Sequence, residues 1–287
     1  MSKWNTWIIG ARPRTLSAAI APVLVATASA GESARWLYAL LALIVSLALQ
    51  IGVNYGNDYS DGVRGTDDNR VGPLRITAAG LATPSAVKRA AFIALGCAAV
   101  AGLALALMTT WWLIIIGAVS ILAAWGYTGG KKPYGYMGLG ELFVFIFFGL
   151  IATIGAYYVQ VEEISLEVVL ASISIGLFAC AILAINNIRD RELDALSGKR
   201  TMAVRLGDRG SRKIFTLLIL LGYLSSALIG NPWIALTLLS LPVAIKLSRG
   251  VMGSAQGRDL IPYLAETGKL QLQYALLLSI ALVLSHG

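Results

Sequence analysis

The sequence is poor in the residues that serve most metalloenzymes and redox proteins. It has one histidine, His286, at the penultimate position, and two cysteines, Cys97 and Cys180, both inside apolar stretches. Zinc, copper and iron sites draw on clustered His and Cys ligands, so this composition argues against all three. A small thiol among apolar neighbours is an ordinary packing residue, and neither cysteine points to redox chemistry. Charge is scarce as well. Only 13% of the 287 residues are charged, which leaves no stretch able to form a soluble domain of useful size. No cleavable leader is expected, because the first apolar run follows Lys3, Arg12 and Arg14 without a small-residue cleavage pattern.

Apolar sequence is what the chain has in abundance: 57% of residues are hydrophobic and the mean hydropathy is +0.74. The apolar residues come in runs of about 17 to 25, the length that crosses a bilayer. The runs fall near 15–31, 36–55, 86–108, 111–127, 138–159, 166–187, 214–230, 232–248 and 270–286. They predict an all-α polytopic integral membrane protein with about nine transmembrane helices, a single domain over residues 1–287. Of the 23 lysines and arginines, all but Arg35 fall on one side of these spans. The positive-inside rule then places the N-terminus and the loops after spans 2, 4, 6 and 8 in the cytoplasm of a cell inner (plasma) membrane. That placement accounts for the net charge of +8, which therefore gives no reason to expect a nucleic-acid partner.

The acids are distributed less ordinarily. All eight aspartates lie on the predicted cytoplasmic side, and seven belong to the loops after spans 2 and 6. In "NYGNDYSDGVRGTDDNR", Asn54, Asp58 and Asp61 stand at i, i+4 and i+7 with Asn57 beside them, so a helix continued by two turns puts them on one face. In "INNIRDRELDALSGKR", Asn186, Asp190 and Asp194 repeat the pattern at i, i+4 and i+8. The two segments look like copies, which suggests a chain built from two related halves. Stacked carboxylates near hydrocarbon repel, so a cation is expected among them. Mg2+ fits best, since it takes oxygen ligands and is typically held by one or two carboxylates while it bridges to phosphates. Arg70, Arg75, Lys199 and Arg200 stand beside the acids and suit phosphate oxygens. The pattern describes a diphosphate site.

These residues carry a resemblance. "NDYSDGVRGTDDNRVGPLR" and "NNIRDRELDALSGKRTMAVRLG", with "ARPRTLSAAIAPVLVA" and "YTGGKKPYGYMGLGELFVFIFFG", resemble the UbiA superfamily of intramembrane aromatic prenyltransferases, and within it the menaquinone branch of 1,4-dihydroxy-2-naphthoate polyprenyltransferases. The likeness covers nearly the whole chain. The wider superfamily's first motif reads NDxxDxxxD, whose last aspartate is replaced here by Gly65, with Asp67 and Asp68 following. The second motif, DxxxD, is matched by Asp190 and Asp194.

The resemblance implies a helical bundle around a central cavity, with motif loops at 54–85 and 186–213 capping its cytoplasmic side. It implies Mg2+-assisted loss of diphosphate from a polyprenyl diphosphate, attack by 1,4-dihydroxy-2-naphthoate, and loss of CO2 to give demethylmenaquinol. Asp58, Asp61, Asp190 and Asp194 become the catalytic metal and diphosphate residues, with Asn54 and Asn57 as neutral oxygen donors and Asp67 as a further ligand. Arg70, Lys199 and Arg200 are expected on phosphate oxygens. Lys131, Tyr134 and Glu141 are expected at the acceptor, Lys131 on its carboxylate. Three other readings stand beside this one. They are the same chemistry on another acceptor such as 4-hydroxybenzoate or homogentisate, a cation-coupled transporter, and a non-catalytic lipid-binding scaffold. Tail length and oligomeric state are not legible.

Overall fold

The computed structural model describes residues 3–66, 72 and 74–286, and these residues contain helices and connectors but no strand. A short helix α1 (Lys3–Ala11) meets α2 (Ser17–Ser29) at a 55° bend. There follow α3 (Trp36–Val63), α4 (Pro84–Met108), α5 (Leu113–Gly126) and α6 (Gly140–Val161). The remainder is α7 (Leu166–Leu196), α8 (Met202–Ala227), α9 (Pro232–Met252) and α10 (Gly257–His286).

Every expected apolar run is helical, and the expected count of about nine spans is approximate. By length and composition, six helices suffice to cross a membrane: α3, α4, α6, α7, α9 and α10. The bent pair ending in α2 raises the number to seven. Helix α5, with 14 residues, is short for a span. Helix α8 is too polar to count among them because its first half carries Arg205, Asp208, Arg209, Arg212 and Lys213, and Gly207 at φ 70° breaks its helical path. The chain is a multi-pass membrane protein. Its outward faces carry Leu40, Ile44, Ile93, Val100, Leu107, Leu220 and Leu224, exposed as a lipid solvent permits.

The most extensive helix pairs are α3 with α4 and α7 with α8, so each aspartate motif sits on a helix that packs against its successor. Helices α7 and α10 are the most enclosed. Where these two meet α8, Phe178, Tyr223 and Tyr274 pack ring to ring, and the buried Tyr274 hydroxyl is satisfied by Ser174 and Ser226. Where α6 crosses α7, Gly149 meets Gly176 so closely that a Cβ on Gly149 would stand 2.5 Å from the Gly176 Cα. That approach lies in a π-helical stretch, Phe145–Ile151, whose wider turn projects Phe147 and Phe148 toward the interior cavity.

Candidate active site

Both motif helices outrun their apolar segments. Helix α3 continues through Asn54, Asn57, Asp58 and Asp61 to Val63, and α7 continues through Asn187, Asp190 and Asp194 to Leu196. The two ends are built alike. In α3 the Thr66 N–H donates to the Asp61 carbonyl at 3.1 Å and the Gly65 N–H to Gly62 at 3.3 Å. In α7 Lys199 donates to Asp194 at 2.9 Å and Gly198 to Ala195 at 3.2 Å. This is the Schellman arrangement, which needs a left-handed residue just past the helix, and Gly65 (φ 73°) and Gly198 (φ 78°) supply it. Gly65 is therefore the residue that turns the chain where the wider motif carries an aspartate. The caps match Asp61 with Asp194, one residue out of the register suggested by Asp58 and Asp190.

The second cap throws Lys199 back over the helix ends. Its Nζ lies 3.2 Å from Asp61 Oδ2 and 3.8 Å from Asp194 Oδ1, so carboxylates from the two motifs share one ammonium. The ring of Tyr136 lies 4.6 Å below that ammonium, and its hydroxyl donates to Asp61 Oδ1 at 2.6 Å. Burial, then the Asp61 charge, hold the Tyr136 phenol above its usual range, so it stays the donor in this bond. The connector carrying Tyr136 is clasped to both motifs. Arg64 donates to the Thr128 and Gly130 carbonyls, Thr128 donates to Asn57 at 2.7 Å, and the Arg200 N–H donates to the Tyr136 carbonyl at 2.8 Å.

Other predicted residues divide. Asp58 is fully buried, and its two oxygens accept from the Ile76 N–H at 3.0 Å and the Thr77 N–H at 2.8 Å, so it anchors the chain after α3. Asp190 is gripped by Arg189 through two bonds of 2.8 and 2.7 Å. Asn54 Nδ2 donates to the Ala11 carbonyl and Thr15 hydroxyl at 2.9 and 3.0 Å. Lys131 and Arg200 are exposed and do not line the cavity. Glu141 is buried away from the cavity, with Oε1 accepting from Asn187 at 2.9 Å and Oε2 lacking a partner among the described residues. Tyr134 lines the cavity, stacked on Phe143, with its hydroxyl on the Ala123 carbonyl. Asp67 and Arg70 lie outside the described residues.

Beneath the helix ends lies a cavity of about 500 Å3, apolar along most of its length. Its polar end is formed by Arg12, Thr15, Gln50, Asn54, Asn57 and Asn186, and its walls by α4, α5 and the aromatic side chains of α6. Gln50, Arg12 and Thr15 had no assigned role from sequence. A glutamine one turn before Asn54 in an otherwise apolar helix is the signal that could have marked the first. Among the described residues no three His, Cys, Asp or Glu side chains converge on one point. Magnesium does not require three. The shared Lys199 ammonium shows that Asp61 and Asp194 can serve one cation, and carboxylate and amide oxygens are the hard donors that this ion takes. The residues fit it.

Comparison with known proteins agrees with this geometry. The sequence pattern of the UbiA prenyltransferase family matches residues 19–259. The chain is 47% identical to a 1,4-dihydroxy-2-naphthoate octaprenyltransferase of Mycobacterium tuberculosis, with 98% of each chain covered. It is 37% identical to the enzyme of that name from Escherichia coli, over 100% of this chain and 97% of that one. In fold it is similar to a UbiA homologue from Archaeoglobus fulgidus solved with GPP and Mg2+, at a TM-score of 0.68 and 12% identity, covering 97% and 99% of the two chains.

Proposed function

Since the chain belongs to the UbiA prenyltransferase family, we propose that it transfers a polyprenyl group from polyprenyl diphosphate to 1,4-dihydroxy-2-naphthoate, a step of menaquinone synthesis. The observation that carries this reading is the convergence of Asp61 and Asp194, from two helices, on one cation, one helical turn beyond the Asn57 that lines the polar head of a long apolar cavity. A diphosphate head suits the charged helix ends, and a polyprenyl tail suits the apolar cavity beneath them.

In the reaction the C1–O bond of the donor breaks and diphosphate departs with the electron pair. The naphthoate ring supplies the pair for the new C–C bond. Carbon dioxide then leaves, and the pair from its bond restores aromaticity, giving demethylmenaquinol. Asp61 and Asp194, with Asn57, are the residues to hold Mg2+, and Lys199 to meet a phosphate oxygen. Bound there, Mg2+ would neutralise charge on the leaving diphosphate. Asp58 and Asp190 act from behind, one fixing the chain at Ile76 and the other orienting Arg189. The apolar walls keep water from an allylic cation that water would quench. The helix ends face the cytoplasm of the plasma membrane, a placement supported by the basic residues gathered on that side.

The same ring chemistry on another acceptor is the second reading, favoured only by the generality of the aspartate pair. Purified protein given dihydroxynaphthoate, 4-hydroxybenzoate or homogentisate with a short prenyl diphosphate separates the two by mass spectrometry. The expected product is the decarboxylated prenyl naphthalenediol, abolished by chelator and restored by magnesium. Undiminished turnover in excess chelator would overturn the metal assignment.

A further inference from the structure

Arg12 is the one cationic side chain lining the cavity among the described residues, and no acidic side chain lines it. It stands at the break between α1 and α2 with φ 52° and ψ 70°, a left-handed conformation that a side chain with a Cβ adopts at a cost. Its Nη2 donates to the Asn54 carbonyl at 3.2 Å, and its own carbonyl accepts from the Thr15 hydroxyl at 3.0 Å. Thr15 in turn receives bonds from Gln50 and Asn54. The guanidinium is thus fixed at the polar head by a network that joins the bend to α3.

We propose that Arg12 is the cation that receives the carboxylate of the aromatic acceptor, whose ring lies in the aromatic part of the cavity beside Tyr127, Tyr134 and Phe143. The inference rests on the acceptor being an arenecarboxylate, as in the proposed function. Three facts carry it. Lys131 and Arg200, the other candidates, are exposed and off the cavity wall. A guanidinium presents its five donors in a planar fork, a geometry that matches the two oxygens of a carboxylate. Finally, Arg12 is anchored at Asn54, and the seven residues from there to Asp61 span roughly 10 Å of helix. That separation leaves room for the acceptor ring and the reacting prenyl carbon between carboxylate and diphosphate. A carboxylate inside a largely apolar cavity needs such a partner, because its desolvation is otherwise unfavourable.

The test uses full-length protein and two ligands that differ in the carboxylate alone, 1-hydroxy-2-naphthoate and 1-naphthol, with binding followed by tryptophan fluorescence. Wild type is expected to bind the carboxylate at least tenfold tighter, the scale of one charge-assisted contact. Arg12→Gln should close that gap and Arg12→Lys restore part of it. Arg12→Gly removes the charge while suiting the left-handed backbone, so it should match Arg12→Gln even if the latter folds poorly. Affinity for a prenyl diphosphate should change less than threefold in all three. A carboxylate preference that survives in Arg12→Gly, or a loss confined to the diphosphate, would overturn the assignment. Because neither readout needs turnover, failure of the proposed prenyl transfer would show separately, as absence of product in wild type.

Discussion

Lys199 lies 3.2 Å from Asp61 and 3.8 Å from Asp194, in a place where two carboxylates alone would repel through a poorly screening interior. Lys199→Met leaves that repulsion unbalanced, and uncompensated buried charge costs about 3–5 kcal/mol. The variant should unfold at lower temperature than wild type, and magnesium should raise its midpoint by more than it raises the wild-type midpoint. Equal magnesium shifts in both proteins would dissociate Lys199 from the metal position. Asp61→Asn removes one charge with little change of shape and should lower turnover by something like 10²-fold, the scale of one strong electrostatic contact in a transition state. Near-normal turnover would show the diphosphate to lie elsewhere. Asp61 and Asp194 were legible because helical spacing fixes their face. The bonding of Asp58 was not, because Ile76 and Thr77 reach it only after the chain has folded back over α3. The partners of Arg12 and Tyr136 were hidden for the same reason, since each gets its neighbours from a bend or connector rather than from periodicity.

Among the elements, the helix ends hold the site, and their glycine caps set its geometry. A Cβ on Gly198 would meet nothing within 4 Å, so any effect of substitution there arises from its left-handed backbone. Gly198→Val should cost about 1–2 kcal/mol, whereas Gly198→Asn, better tolerated at such angles, should cost much less. If the cap aims Lys199, the valine variant should also lose more activity than its stability loss explains, as measured by turnover well below its melting temperature. Equal turnover in the two variants would refute that aim. The extension of α3 and α7 past their apolar runs was readable from polar residues kept at helical spacing. The π-helical stretch Phe145–Ile151 was not, because "FIFFGLI" has no polar residue to mark a change of period, and the facing glycines that accompany it lie on separate helices.

At the scale of the whole molecule, the proposed inner placement of the motif ends rests on the distribution of basic residues, and labelling can check it. In a Cys97→Ser background, with Cys180 buried, Ser197→Cys should react with a membrane-impermeant maleimide only after cells are opened. Glu163→Cys, exposed at the opposite end, should react in intact cells. The reverse pattern would invert the topology. Apolar run length made the multi-span helical plan legible from sequence, while the cavity stayed out of reach because it is enclosed by helices distant in the chain. One of its walls is unusual. The 14 residues of α5 rise about 21 Å, against a hydrocarbon core of about 30 Å. Beside this wall the bilayer must thin or the helix ends must be wetted, at a fraction of a kcal/mol for each ångström of mismatch. The enzyme is therefore mismatched to its own solvent on the flank that lines the substrate cavity, and bilayer thickness acts as a mechanical load on that wall. Thicker lipid presses on the short helix, and thinner lipid relieves it.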